Sequence, residues 1–155
     1  MKQCIENPND IDWTGFWAEK LVNKKDKDWD KAAPGFYKRT RNEDYQDALF
    51  DKLILDENDT VLDVGCGEGS VTIPIAKRVK KVIGVDSSPK MLEYLEKRAE
   101  DNNVSNIETI LKPIEDITYE EIGDVDVVVC SRSLNGIIPI DEVLKELDRI
   151  ANKYV

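Results

Sequence analysis

Apolar and polar positions change rhythm near residue 59. Ahead of it, residues 1–9 read as a loose tail, and Asp10 is placed to cap a helix over Ile11–Val22. In that helix Trp13, Phe16, Trp17 and Leu21 recur at the helical period. A charged stretch, residues 23–28, predicts a solvated linker. The aromatic-rich segment Trp29–Arg39 is expected to be broken by Pro34-Gly35, and a further helix is expected over Glu43–Ile54, with Tyr45, Ala48, Leu49 and Leu53 on one face. Beyond residue 59, short β-branched runs alternate with helical patterns. Thr60–Val64, Lys81–Val85, Ile107–Leu111 and Val125–Cys130 read as strands. Ser70–Val79, a helix opened by Ser87-Ser88-Pro89 and running to Asn102, and Asp141–Ala151 read as helices. Pro74 falls in a first turn, where its missing N–H costs little.

This alternation predicts an α/β fold: a parallel sheet layered between helices, with right-handed crossovers. Residues 1–50 are expected to form a helical lid and residues 51–155 the sheet domain. Four strands are complete, and Lys153-Tyr154-Val155 reads as the start of a fifth. A sheet ending there leaves Val125–Val129 as an exposed apolar edge, a template for pairing with another chain. The expectation is therefore a sheet truncated after its fourth strand, with a homodimer through that edge.

Charge and composition narrow the chemistry. Lys and Arg number 22 against 32 Asp and Glu, a net charge of −10. Phosphate backbones are bound by clustered cations, so nucleic acid is a poor expected partner. The basic run Lys77–Lys81 fits a solvated helix C-terminus. No apolar run reaches membrane-spanning length, and the N-terminus has no apolar signal core, so a cytoplasmic protein and no membrane partner are expected. The three cysteines, Cys4, Cys66 and Cys130, form no CxxC pair, which argues against a zinc site. The chain has no histidine, so any chemistry runs without imidazole.

The sharpest feature is Val61-Leu62-Asp63-Val64-Gly65-Cys66-Gly67-Glu68-Gly69-Ser70, at a strand-to-helix junction. In an open α/β sheet such junctions form the carboxyl edge, where ligands bind. The dinucleotide fingerprint GxGxxG requires glycine at position 70, where Ser70 stands, and no GKS or GKT follows. The pattern present is Asp63-x-Gly65-x-Gly67-x-Gly69. At the next strand end stands Asp86, a carboxylate able to accept both hydroxyls of an adenosine ribose. Alone, it could equally cap the following helix.

These segments, with Ser87-Ser88-Pro89-Lys90-Met91-Leu92, resemble motif I and the following acidic motif of class I S-adenosylmethionine-dependent methyltransferases. The resemblance covers about residues 29–155 and implies S-adenosyl-L-methionine as cofactor. It assigns Asp63, Gly65, Cys66, Gly67, Gly69 and Asp86 to cofactor binding, and Ser87 and Met91 to the adenine pocket. After the third strand, Pro113 stands where the family often has an aspartate, which leaves adenine to the backbone around Ile114. Ser131–Asn135 reaches the methyl-donor end, with Ser131 a contact and Arg132 either an anion holder or an exposed loop cation. In relatives the segment ahead of motif I folds over the cofactor. Trp29, Phe36, Tyr37 and Arg41 are the candidates, with Tyr37 and Arg41 able to meet the methionine carboxylate; the alternative is a hydrophobic cluster closing the sheet. Methyl transfer to a small molecule or protein is the expected function. A non-catalytic S-adenosylmethionine-binding module and an NAD-dependent oxidoreductase are the alternatives.

Overall fold

The computed structural model describes residues 28–38, 43–135, 137 and 139–155. The expected helix over residues 11–22 and Arg41 lie outside them. The elements run α1 (Trp29–Lys38), α2 (Glu43–Phe50), β1 (Thr60–Val64), α3 (Thr72–Ala76), β2 (Lys81–Asp86), α4 (Pro89–Asp101) and β3 (Ile107–Leu111). A 3-10 turn (Ile114–Asp116), α5 (Tyr119–Ile122), β4 (Val125–Val129), α6 (Ile140–Ile150) and β5 (Ala151–Tyr154) complete them. None of the described helices is long and apolar enough to cross a membrane.

The five strands form one parallel sheet in the order β3-β2-β1-β4-β5. The order reverses at β1, so the carboxyl ends of β1 and β4 open a crevice between helices that leave on opposite faces. Alternation along each strand divides the core. Leu62, Val64, Ile83, Val85 and Val128 pack with Val143, Leu147 and Ile150 of α6 on one face. Val61, Val82, Val127 and Val129 pack with Ile75, Ala76 and Val79 on the other.

Two expectations are corrected. The sheet does not stop after its fourth strand: α6 ends at Ile150 and Ala151 turns directly to extended backbone. β5 then pairs with β4, placing Ala151 beside Val125 and Tyr154 beside Val127. β4 is thus covered by β5 at Val125 and Val127, and the edge of the sheet on this side is β5 rather than β4. β5 lacks the apolar pattern of a buried strand, since Asn152 and Lys153 are exposed. Its anchors are polar. Lys153 pairs with the buried Asp59, and the Tyr154 hydroxyl donates to Ile54 O at 2.7 Å while accepting from Ile54 N at 2.9 Å.

The second correction concerns α1, which runs unbroken through Pro34-Gly35. Packing overrides the local signal: Ala33 is fully buried and the Tyr37 ring stacks on Tyr94 of α4 with centroids 4.6 Å apart.

Candidate functional site

The β1–α3 turn is built from three bare positions with three different neighbours. A Cβ on Gly69, at φ +84°, would sit 2.3 Å from Leu95 Cδ1, so this glycine exists to let α4 pack. A Cβ on Gly65 would sit 2.3 Å from Ser133 Cβ and 3.4 Å from Ile114 Cδ1. Gly67 alone faces open space, with Met91 Sδ at 4.0 Å the nearest atom to such a Cβ. Its N–H donates to Asp86 Oδ2 at 2.9 Å, tying the turn to the end of β2. Gly65 N and Cys66 N both donate to Val85 O, at 2.8 and 3.0 Å.

Asp86 accepts from Ser88 N at 2.9 Å through its other oxygen. Burial pushes its pKa up, while the N–H groups of Ser88, Gly67 and Ser87 pull it down. Each carboxylate oxygen has two acceptor positions, so this arrangement leaves capacity for a further donor. Asp63 lies deeper. Period two puts it on the face of Val61, beneath α3, where it is 1% exposed and accepts from Thr72 Oγ1 at 2.6 Å. Burial raises its pKa from 3.8 to about 6 against the lowering Thr72 bond, with Asp86 and Glu68 adding repulsion. Three carboxylates thus converge on one desolvated turn, a field that suits a cationic ligand.

The other residues expected at the site divide. Ser87 is exposed at the mouth and Met91 is buried beside Gly67. Ile114 opens the 3-10 turn and reaches Gly65. Cys66, expected at the cofactor as part of the turn, directs its thiol toward Gly84, in a cluster with Ile73, Leu92 and Leu95. Burial, then the charges of Asp63 and Asp86, pushes that thiol well above its ordinary pKa, so only the Cys66 backbone serves the turn. The Tyr37 hydroxyl, expected at the methionine carboxylate, donates instead to Asp101 at 3.2 Å, at the far end of α4.

Several contributors carried no local signal. Glu68 is 7% exposed; its carbonyl accepts from Arg98 Nε at 2.9 Å, and its carboxylate lies 3.7 Å from Arg98 Nη2. The Arg98 guanidinium lies 4.8 Å from the centre of the Tyr37 ring, and its Nη2 donates to Tyr37 O at 3.4 Å. Ser88 caps α4, accepting from Met91 N at 3.0 Å, and donates to Asp30 Oδ1 at 2.5 Å. The Ser88 hydroxyl, then Lys90 N, holds the Asp30 carboxyl below the usual range. α2 spans the crevice: Gln46 Nε2 donates to Ser70 O at 3.0 Å on the β1 side. On the β4 side Tyr45 OH lies 2.8 Å from Ser131 Oγ. Arg132, at φ +61°, stacks its guanidinium 3.6 Å from the centre of the Tyr45 ring. Most of these residues stand in segments the sequence had singled out, but the contacts joining them to residues 28–50, which span 24 to 86 positions, had no local signal.

The residues present fit an adenosyl cofactor bearing a positive charge. Gly67 gives bare backbone, Asp86 an acceptor for paired hydroxyls, Met91 and Ile114 apolar walls, and Ser133 Oγ is buried without a hydrogen-bond partner.

The comparisons agree with the fold. A structure of coclaurine N-methyltransferase bound to N-methylheliamine and S-adenosylhomocysteine superposes with TM-score 0.65 at 22% identity, covering 75% of this chain and 35% of that one. A Listeria monocytogenes protein, provisionally assigned as an S-adenosylmethionine dependent methyltransferase, gives TM-score 0.60 at 32% identity over 72% of this chain and 51% of that one. Among curated proteins, the 23S rRNA (uracil(1939)-C(5))-methyltransferase RlmD of Aliivibrio fischeri is 34% identical over 84 residues, 54% of this chain and 19% of its own length. The Haemophilus influenzae RlmD is 40% identical over 67 residues, 43% of this chain and 15% of its own length. The chain therefore spans about a fifth or less of the curated relatives it matches. Their names carry a nucleic-acid acceptor, which removes the support for disfavouring nucleic acid on net charge. The family described as a methyltransferase domain matches residues 55–155, well over half of the chain. With its glycine turn, its strand-end acid and its sheet order, this chain belongs to the class I S-adenosylmethionine-dependent methyltransferases.

Proposed function

We propose that the chain binds S-adenosylmethionine across Gly67 and Asp86 and transfers its methyl group to an acceptor entering over the carboxyl end of β4. The observation that carries this reading is the open face of Gly67 beside a strand-end carboxylate already 2.9 Å from Gly67 N. When bound, the cofactor supplies an electrophilic methyl group on a sulfonium centre. The chain's own residues have the tasks of binding, aligning and excluding water. Asp86 takes the ribose hydroxyls, Met91 and Ile114 flank the base, and Asp63 and Glu68 provide the negative field. α2 closes the mouth through Gln46 and Tyr45. With no histidine in the chain, an acceptor that loses its proton readily, such as a thiol or amine, needs the least help.

Calorimetry with S-adenosylhomocysteine and with NADH tests the cofactor. Micromolar binding of the first and none of the second is expected, and Asp86→Ala should weaken it by about 1.5–3 kcal/mol, the range for hydrogen bonds to a charged group. No heat at millimolar S-adenosylhomocysteine from folded protein would sink the reading. Transfer of labelled methyl onto small molecules, proteins and RNA then separates a transferase from a binding module and identifies the acceptor class.

A further inference from the structure

Six large apolar side chains stand exposed among the described residues, and three of them, Ile140, Leu144 and Val155, belong to α6 and the end of β5. α6 buries Val143, Leu147 and Ile150 against the sheet. Ile140 and Leu144, one turn apart, share the neighbouring stripe, which that packing leaves in water. The stripe runs along the β5 side, where Leu144, Lys145 and Asp148 line an open depression together with Val155. β5 is the outermost strand, paired only with β4 among the described residues. Its outer row of N–H and C=O groups is a template for a further strand. Apolar stripe and strand edge thus adjoin, and one partner can cover both.

Charge identifies that partner. Lys145 pairs with Asp141 at 3.7 Å, an exposed pair of little worth, and Asp148 lies exposed in the same depression. A patch carrying both signs is self-complementary: about a twofold axis, Lys145 of each copy meets the partner's Asp148. We infer that a second copy of the chain docks on this flank, β5 beside β5 and α6 beside α6. With α6 on the same face of both sheets, the axis is perpendicular to the sheet and the two β5 strands run antiparallel. A lone strand could pair with β5 but would leave Leu144 in water, whereas a second copy brings strand and helix together. None of the residues given to the methyl donor lies on this flank, so the assignment does not depend on the cofactor reading.

Sedimentation velocity of the full chain over a micromolar concentration series tests this. A monomer–dimer equilibrium that stops at the dimer is expected. Leu144→Glu should weaken the dimer roughly tenfold or more, because it carries a charge into the covered stripe. Circular dichroism should show its fold unchanged, since Leu144 is exposed. Leu111→Glu, an exposed site at the opposite edge of the sheet, should leave the dimer as it is. Lys145→Asp and Asp148→Lys should each weaken association, and the double exchange should restore it, as reciprocal contact across a twofold axis requires. A chain monomeric throughout the series overturns the inference, as do a dimer indifferent to Leu144→Glu, one lost with Leu111→Glu, or growth beyond the dimer. A double exchange without rescue overturns it too, and should Leu144→Glu fail to fold, the exchange variants decide alone.

Discussion

Replacing Asp63 with asparagine removes a carboxylate that the fold holds at 1% exposure with one hydrogen bond, from Thr72. Burial raises its pKa from 3.8 to about 6. That displacement corresponds to about 3 kcal/mol against the folded state once the group is ionised in both states. The sign follows from proton binding. Between pH 3.8 and 6 the folded chain holds this proton more tightly than the unfolded chain, so stability falls as pH rises through that window. It is level above about pH 7.

Asparagine keeps an oxygen for Thr72 but brings a buried NH2 whose fixed cost is hard to assign. The pH dependence avoids that problem, because the fixed cost is the same at every pH. From pH 5 to pH 8 the stability of wild type relative to Asp63→Asn should drop by about 1.4 kcal/mol, the share of the 3 kcal/mol that develops there. Urea melts of both proteins at several pH values, followed by circular dichroism, measure it. Parallel profiles, or a wild type that gains on the variant as pH rises, would refute the reasoning. The two oxygens of Asp63 would then be better satisfied than the Thr72 bond indicates.

Gly69→Ala should destabilise the fold by on the order of 3 kcal/mol, combining a 2.3 Å approach to Leu95 Cδ1 with a left-handed φ; a thermal melt within a degree or two of wild type would contradict this. Tyr37→Phe should leave S-adenosylhomocysteine affinity within about twofold, because its hydroxyl bonds Asp101 and not the turn. Arg98→Ala should weaken the same ligand several-fold, because it removes the bond to the Glu68 carbonyl. Calorimetry on the pair decides, and a larger loss in Tyr37→Phe would restore Tyr37 to the site.

The part of the site that was legible is the part written in adjacent residues. Asp63 to Gly69, Asp86, and the Ser88-Pro89 helix start are each determined within a few positions by turn geometry and capping. Long-range pairing was not legible. Asp30 reaches Ser88 across 58 positions and Tyr45 reaches Ser131 across 86, and nothing in the local pattern of either segment announces a partner. β5 was underread for a related reason. Its half-exposed residues are stabilised by Asp59 and Ile54, about a hundred residues earlier. The side-chain direction of Cys66 depends on how Gly84 passes beneath it, which the motif does not encode.

What these distant contacts have in common is where they end. From α1, one chain of hydrogen bonds runs Asp30–Ser88–Asp86–Gly67, and another runs Tyr37–Arg98–Glu68. From α2, Gln46 and Tyr45 reach the two sides of the crevice. All terminate on the glycine turn, the strand-end acid or the loop after β4. The turn needs such support, because its three acids repel one another and two of them, Asp63 and Asp86, are held above their ordinary pKa by burial. A cation bound there would relieve that repulsion, whereas neutralising Asp63 would relieve it without any ligand. The fold therefore carries a charge arrangement that destabilises it, and on the proposed reading a positively charged donor would turn this cost into affinity.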